Sequence, residues 1–405
     1  MPASTLTTDA AQPDTVVATR QTWSAVGSMS LCVALLIASE FMPVSLLTPI
    51  AADLKASAGM AGQAISISGL FAVIASLLIA PLSSRLNRRH VLLGLSVVML
   101  LSLLSLLSLL LIASAHTFGM LMAARALLGI TIGGFWALST ATVMRIMPEH
   151  AVPKALGIVY IGNAVATAFA APLGSYLGAV IGWRGVFWGM VPLVALAIAW
   201  QWRSLPSMPA QGASSLGDIA RLLKRRYVAR AMLAVMLGFA GAFSAFTYFR
   251  PFLETVAQVD VSQLSLLLLG LGLAGFVGTY AATALVAKRL FTLLTVLPAA
   301  LGIVTLGMLL GGHVLWAVAV AMIAWGTLNA AIPVAWSTWL SRCIKDAPES
   351  GGGLMVAAIQ LSIMLGGALG GVLLDHLSIS ATFIGAGVLL LASSLVVGRG
   401  NELQP

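Results

Sequence analysis

The sequence predicts an all-α membrane protein: twelve transmembrane helices in two pseudo-symmetric six-helix halves. Three observations predict it. Apolar blocks of membrane-spanning length recur along nearly the whole chain, one long polar stretch divides them six and six, and the basic residues collect on one side of the resulting segmentation. Of 405 residues, 60% are hydrophobic and only 8% are charged, whereas a soluble domain carries roughly a quarter charged residues.

A helix needs about 20 apolar residues to cross a bilayer. Blocks of that kind fall at 23–52, 60–80, 91–112, 118–142, 152–180, 184–202, 231–253, 263–287, 291–312, 316–340, 353–375 and 379–398. Residues 1–22 form a polar tail without the layout of a signal peptide. The stretch 203–230 holds Pro206, Pro209 and Gly212 and then the basic run Arg221 to Arg226, a linker ending in an amphipathic surface segment. The halves are therefore 23–202 and 231–398, with a short tail at 399–405. On this segmentation 17 of the 21 Lys and Arg fall on the side of the N-terminus, Lys55 and Arg184 fall opposite, and Arg125 and Arg250 lie within spans. Basic loops stay cytoplasmic, so both termini are expected there. The same distribution argues against reading the net charge of +9 as a nucleic-acid footprint. Cys32 and Cys343 fall at different depths and the five His near helix ends, so neither a disulfide nor a metal framework is expected.

The first span carries Glu40. By the rise of about 1.5 Å per residue, it lies within a few Å of the middle of its span. A carboxylate at that depth is costly and marks a functional position, and burial favours its neutral form, as a proton carrier requires. Pro43 and Pro49 interrupt the same span and free backbone carbonyls. The third span has the run Leu100-Leu-Ser-Leu-Leu-Ser-Leu-Leu-Ser-Leu-Leu, expected to face lipid with its hydroxyls bonded to its own backbone. The fourth carries Arg125, which keeps its charge and needs a partner or a wet cavity. It either couples to Glu40, directly or through a cavity, or ties its helix to carbonyl groups.

The halves echo each other at an offset of 197 positions (342 − 145): Arg145 with Arg342, Asn163 with Gln360, Ala171 with Ala368 and Gly174 with Gly371. Parallel repeats of this kind are a known carrier plan, with the substrate site between them at mid-membrane. Asn163, Gln360 and Asn329, with Trp136, Tyr160, Tyr248 and Trp336, either glue helices or line that cavity. Amides and aromatic faces together suit a planar, hydrogen-bonding solute. Arg250, near the end of the seventh span, either snorkels or faces the outer vestibule. Pro172 followed by Gly174 and Gly178 permits bending. There is no phosphate-binding loop and no His-Glu-x-x-His pair, so the sequence points away from an enzyme and from ATP, and no cofactor or metal is expected.

Arg125 with its trailing Gly129, Gly133 and Gly134 resembles the fourth-span motif of the major facilitator superfamily. The loop Ala80-Pro-Leu-Ser-Ser84-Arg85-Leu-Asn87-Arg88-Arg89 resembles that family's signature loop, with Ala80, Ser84 and Asn87 in place of the usual Gly, Asp and Gly. The Pro172 and Gly174 segment is similar to the antiporter motif, with Ala171 where Gly is usual. The stretches Glu40-Phe-Met-Pro-Val-Ser-Leu-Leu-Thr-Pro49, Gly133-Gly-Phe-Trp-Ala137, Val152-Pro-Lys-Ala-Leu156, Ile181-Gly-Trp-Arg184 and Trp336-Ser-Thr-Trp339 resemble bacterial purine ribonucleoside efflux pumps. The resemblance implies a monomeric inner-membrane antiporter that exchanges purine nucleosides for protons. Glu40 and Arg125 would carry coupling, and Asn163, Gln360, Asn329, Trp136, Tyr160, Tyr248 and Arg250 would face substrate. Sugar exporters share the Glu40 stretch, so a sugar or drug exporter is the near alternative; a passive channel ranks lower.

Overall fold

The computed structural model describes residues 18–83, 86–107, 118–148, 151–209, 216–346 and 348–404. Residues 1–17 of the tail, Ser84 and Arg85 of the signature loop, the end of the third predicted span, His116, His150 and residues 210–215 of the linker lie outside them.

In order, the described helices are α1 (Arg20–Ser45), α2 (Leu47–Asp53), α3 (Ala58–Ser83), α4 (Arg88–Leu107), α5 (Phe118–Ile146), α6 (Val152–Ser204), α7 (Leu216–Leu223), α8 (Arg226–Thr247), α9 (Phe249–Thr255), α10 (Val261–Gly311), α11 (Leu315–Cys343), α12 (Pro348–His376) and α13 (Ile379–Val397). Helices cover the twelve predicted spans, the third as far as Leu107. The predicted fifth and sixth spans are two helices that meet within α6 at Gly182, inside the expected gap, where a φ of 73° would strain a side chain. The eighth and ninth likewise meet within α10 at Arg289. Conversely, two predicted spans are each cut in two. The helix breaks at Leu46 (φ −109°, ψ 10°) and at Tyr248 (φ −110°, ψ 17°), and a seven-residue helix follows each break. Pro49 and Pro251 lie three residues after the breaks, and both pairs are 202 positions apart (248 − 46 and 251 − 49). This echo, at a different offset from the one read in the sequence, is the clearest sign of the repeat.

Each half has an apolar core, and Val44, Ile65 and Ala171 of the first half join that of the second. Within the first half, α5 lies hard against α3: a Cβ on Gly129 or Gly133 would stand 2.2 and 2.0 Å from the carbonyl oxygens of Ser68 and Ala72. In the second half α10 and α11 meet in the same way through Gly278 and Gly326. Glycine lets the backbones approach, and van der Waals contact holds them. The halves meet along a seam where α3 packs on α12 and α6 on α10, while α2 touches α9.

The third span departs from expectation. Ser102 is buried and donates its hydroxyl to Ala124 O of α5 at 2.7 Å. It joins two helices rather than bonding its own backbone on a lipid face, because only one side of α4, with Leu101 exposed, is left uncovered. The linker's amphipathic helix α7 docks through Leu222, 2% exposed, into the second core. The C-terminal tail is also docked: Leu403 is 0% exposed and its carbonyl accepts from Trp339 Nε1 at 2.9 Å.

Candidate functional site

Proline creates the site. A helical proline has no N–H for the carbonyl four residues back, so Pro43 orphans Ser39 O and Pro49 orphans Ser45 O. Buried carbonyls need partners, and an arginine reaches each one. Arg125 Nη1 donates to Ser39 O at 2.8 Å, and Arg250 Nη1 donates to Ser45 O. Arg125 comes from α5 of the same half; Arg250 comes from α9, across the seam.

Ser39 immediately precedes Glu40. Glu40 is 4% exposed and Arg125 1%. The rest of the Arg125 guanidinium is committed to α3, with Nε donating to Ala64 O at 3.1 Å and Nη2 to Ser68 Oγ at 3.0 Å. Among the described residues no ion pair joins Arg125 to Glu40, and no hydrogen bond reaches the Glu40 carboxylate. Arg125 thus ties α1, α3 and α5 together through carbonyls, the plainer of its two readings, and does so at the peptide that carries Glu40. The carboxylate is left without a fixed donor, a condition that suits a group that must gain and lose a proton.

Of the predicted substrate residues, Gln360 is 6% exposed and its Oε1 has no partner. It stands at the seam: a Cβ on Gly69 of α3 would lie 3.0 Å from its carbonyl oxygen. Asn163 on α6 and Asn329 on α11 are half-buried. Trp136 and Tyr160 stack on each other at 5.8 Å and 29°, with Tyr160 49% exposed. Tyr248 is 0% exposed, and its hydroxyl donates to Gly367 O at 2.8 Å; it packs the seam instead of offering an open face. Trp336 is likewise buried, edge-on to Trp339 at 5.8 Å. Arg250 neither snorkels nor opens to a vestibule. It is 7% exposed, and its Nε donates to Glu254 Oε1 at 2.7 Å. The structure brings Glu40 and Arg125 to one peptide and puts Gln360, Tyr248 and Arg250 on the seam. It sets the Trp136–Tyr160 pair inside the first half. A hollow lined by Ser337, Leu340, Ser341, Ile344 and Lys345 at the end of α11 contains none of these residues.

The sequence reading missed the other partners across the seam. Glu254 also accepts from Thr48 Oγ1 at 2.6 Å. Asp375, at the end of α12, accepts from Ser57 Oγ and, at 3.0 Å, from Gly59 N. Ser57 Oγ in turn accepts from Met60 N at 2.9 Å, so Ser57 and Asp375 together cap the start of α3, one from each half. The four-residue spacing of Arg250 and Glu254 was a readable signal; nothing in the sequence links Asp375 to Ser57. In the signature loop, Asn87 Oδ1 accepts from Arg89 N and Met208 N, both at 3.0 Å. The residue that replaces the family's glycine therefore caps α4 and pins the start of the linker.

The family model that matches residues 29–351 is that of the Major Facilitator Superfamily. A transcription regulatory protein of Pseudomonas aeruginosa, OpdE, is 45% identical over 388 residues, 95% of each chain. A purine ribonucleoside efflux pump of Escherichia coli, NepI, is 41% identical over 379 residues, 94% of each. The protein of the same name from Salmonella enteritidis is 38% identical over 386 residues, covering 95% of this chain and 96% of that one. Among solved structures, a D-xylose–proton symporter superposes with a TM-score of 0.74 at 16% identity, over 95% of this chain and 97% of that one. A point mutant of the nucleoside transporter NupG superposes with a TM-score of 0.73 at 14% identity, over 93% of this chain and 100% of that one.

Proposed function

Because the chain belongs to the major facilitator superfamily, and is a multi-pass membrane transporter rather than an enzyme, we propose that it exports purine ribonucleosides from the cytoplasm in exchange for protons. One observation carries the coupling: a buried carboxylate, with no fixed donor, on a proline-containing helix held by Arg125 at the adjoining peptide. Protonation of Glu40 from the outside and its deprotonation towards the cytoplasm alternate with nucleoside binding between the halves, where Gln360 keeps an unused acceptor. Arg125 holds the kink and biases the charge of Glu40. Asn163 and Asn329 supply further amides to the same cavity.

The substrate class comes from the efflux pumps to which the chain is 38–41% identical. The name of the Pseudomonas relative attaches a regulatory role to that protein; a twelve-span carrier body with a buried acid supports transport as the activity here. The collection of basic residues on one side supports cytoplasmic termini in an inner-membrane protein, and an apolar core in each half supports a working monomer.

Everted vesicles with labelled inosine, with and without an imposed pH gradient, test the reading. Wild type accumulates inosine only with the gradient. Glu40→Gln, which removes the titratable site with little change in shape, abolishes gradient-driven accumulation while inosine still binds. Gradient-driven transport at wild-type rate by that variant would falsify the coupling role. Uptake of arabinose in place of inosine would replace the nucleoside by a sugar.

A further inference from the structure

Phe41 follows Glu40 and packs against the cores of both halves. Its ring meets Phe243 at 6.1 Å and 42°, and Phe246 edge-on at 5.4 Å, both on α8 across the seam. Behind them the array is closed. Phe246 stacks on Trp325 at 6.0 Å and 11°, and Phe249 meets Trp325 edge-on at 4.9 Å. Phe249 and Trp325 are 0% exposed, whereas Phe41 and Phe243 are half-buried. The two front rings therefore keep uncovered surface while the rings behind them hold their positions.

Both rings lie where α1 of one half meets α8 of the other. Of the other aromatic residues named from the sequence, Tyr248 and Trp336 are packed, and Trp136 and Tyr160 stack on each other within the first half. At the same seam Gln360 Oε1 is buried without a partner, and such a group costs free energy until a donor reaches it.

We infer that Phe41 and Phe243 form the stacking face for the purine ring and that Gln360 reads the ring's hydrogen-bonding edge. The inference rests on the nucleoside reading above and names the residues that would select the base. Stacking is tolerant of which base it receives, but it strengthens with ring area; a bicyclic purine gains more from two phenyl faces than a monocyclic pyrimidine does.

The test uses the full chain in lipid nanodiscs, titrated with inosine and with cytidine. Phe41→Leu and Phe243→Leu keep the apolar volume and remove the ring. Each is expected to weaken inosine binding roughly 10- to 100-fold and to lower the inosine-to-cytidine affinity ratio. Phe41→Trp, which enlarges the face, is expected to keep inosine binding and raise that ratio; it is the deciding variant if the leucine forms fail a thermal-melt check. Leucine variants that bind inosine like wild type, or a tryptophan variant with an unchanged ratio, overturn the stacking assignment and leave the nucleoside reading standing. A wild type that binds neither inosine nor guanosine overturns both.

Discussion

At the end of the seam away from the termini, the halves share hydrogen bonds. Arg250 reaches Ser45 O, Thr48 donates to Glu254, and Asp375 caps α3 with Ser57. At the terminal end, the ion pairs whose partners are described do not cross to the first half: Arg225 of the linker pairs with Asp346 of the second half, and Arg230 at the linker's end pairs with Glu402 of the C-terminal tail. The first kind of bond must break for the halves to part; the second moves with its half as one body. Polar contacts placed only where two bodies meet can set a conformational equilibrium, whereas contacts inside one body set its stability. The far end is thus where substitutions should shift the balance between open and closed states.

The largest shift is expected from Arg250→Ala. It leaves Ser45 O without a donor and Glu254 without its cation, costing the closed far end about 2–3 kcal/mol. Spin labels at the exposed Lys55 and Leu377 should move to longer separations by pulsed electron resonance. An unchanged distance distribution would mean that these bonds do not hold the halves together. The proline account sharpens the test. Pro49→Ala restores an N–H for Ser45 O, so Arg250→Ala should cost less in that background than alone, and a strictly additive double-mutant cycle would remove the proline from the explanation.

Asp375→Asn should have a smaller effect in the same direction. The amide still accepts a hydrogen bond but brings no charge to the start of α3, worth about 0.3–1 kcal/mol. The smallest effect belongs to the terminal end. Hydrogen bonds from Arg225 hold the Asp346 carboxyl below the usual carboxylate range. A depressed value means that its contribution is present above the unfolded-state pKa of about 4 and is lost as pH falls through the lower folded value. Asp346→Asn should therefore lower the melting temperature slightly at pH 7 and not at all in strong acid, with the Lys55–Leu377 distance unmoved. A distance change there would erase the contrast between the two ends.

The site is legible in the sequence in part. Glu40 and Arg125 stand out because ionisable groups in apolar spans are rare, and the freed carbonyls follow from Pro43 and Pro49. Which donor fills each carbonyl does not follow. From sequence Arg125 is either a partner for Glu40 or a backbone tie; two of its bonds, to Ser39 O and Ala64 O, are of the second kind, and the third goes to Ser68 Oγ. Phe41 goes unnoticed because one phenylalanine among many apolar residues carries no signal until its neighbours are known. Tyr248 looks like a cavity residue because sequence shows a hydroxyl but not the Gly367 carbonyl that takes it.

By itself the sequence determined the class, the twelve spans, the division into halves and the side on which the charges collect. Those properties depend on hydrophobicity summed over about 20 residues and on charge counted by loop, and both are local in the chain. Only the tertiary structure decided that the gaps at Gly182 and Arg289 are tight breaks, that the first and seventh spans break at Leu46 and Tyr248, and which groups meet across the seam. Those outcomes depend on which helix faces are turned towards each other. A bond such as Asp375 to Ser57, 318 residues apart, leaves no periodic trace in the sequence for either partner to be found by.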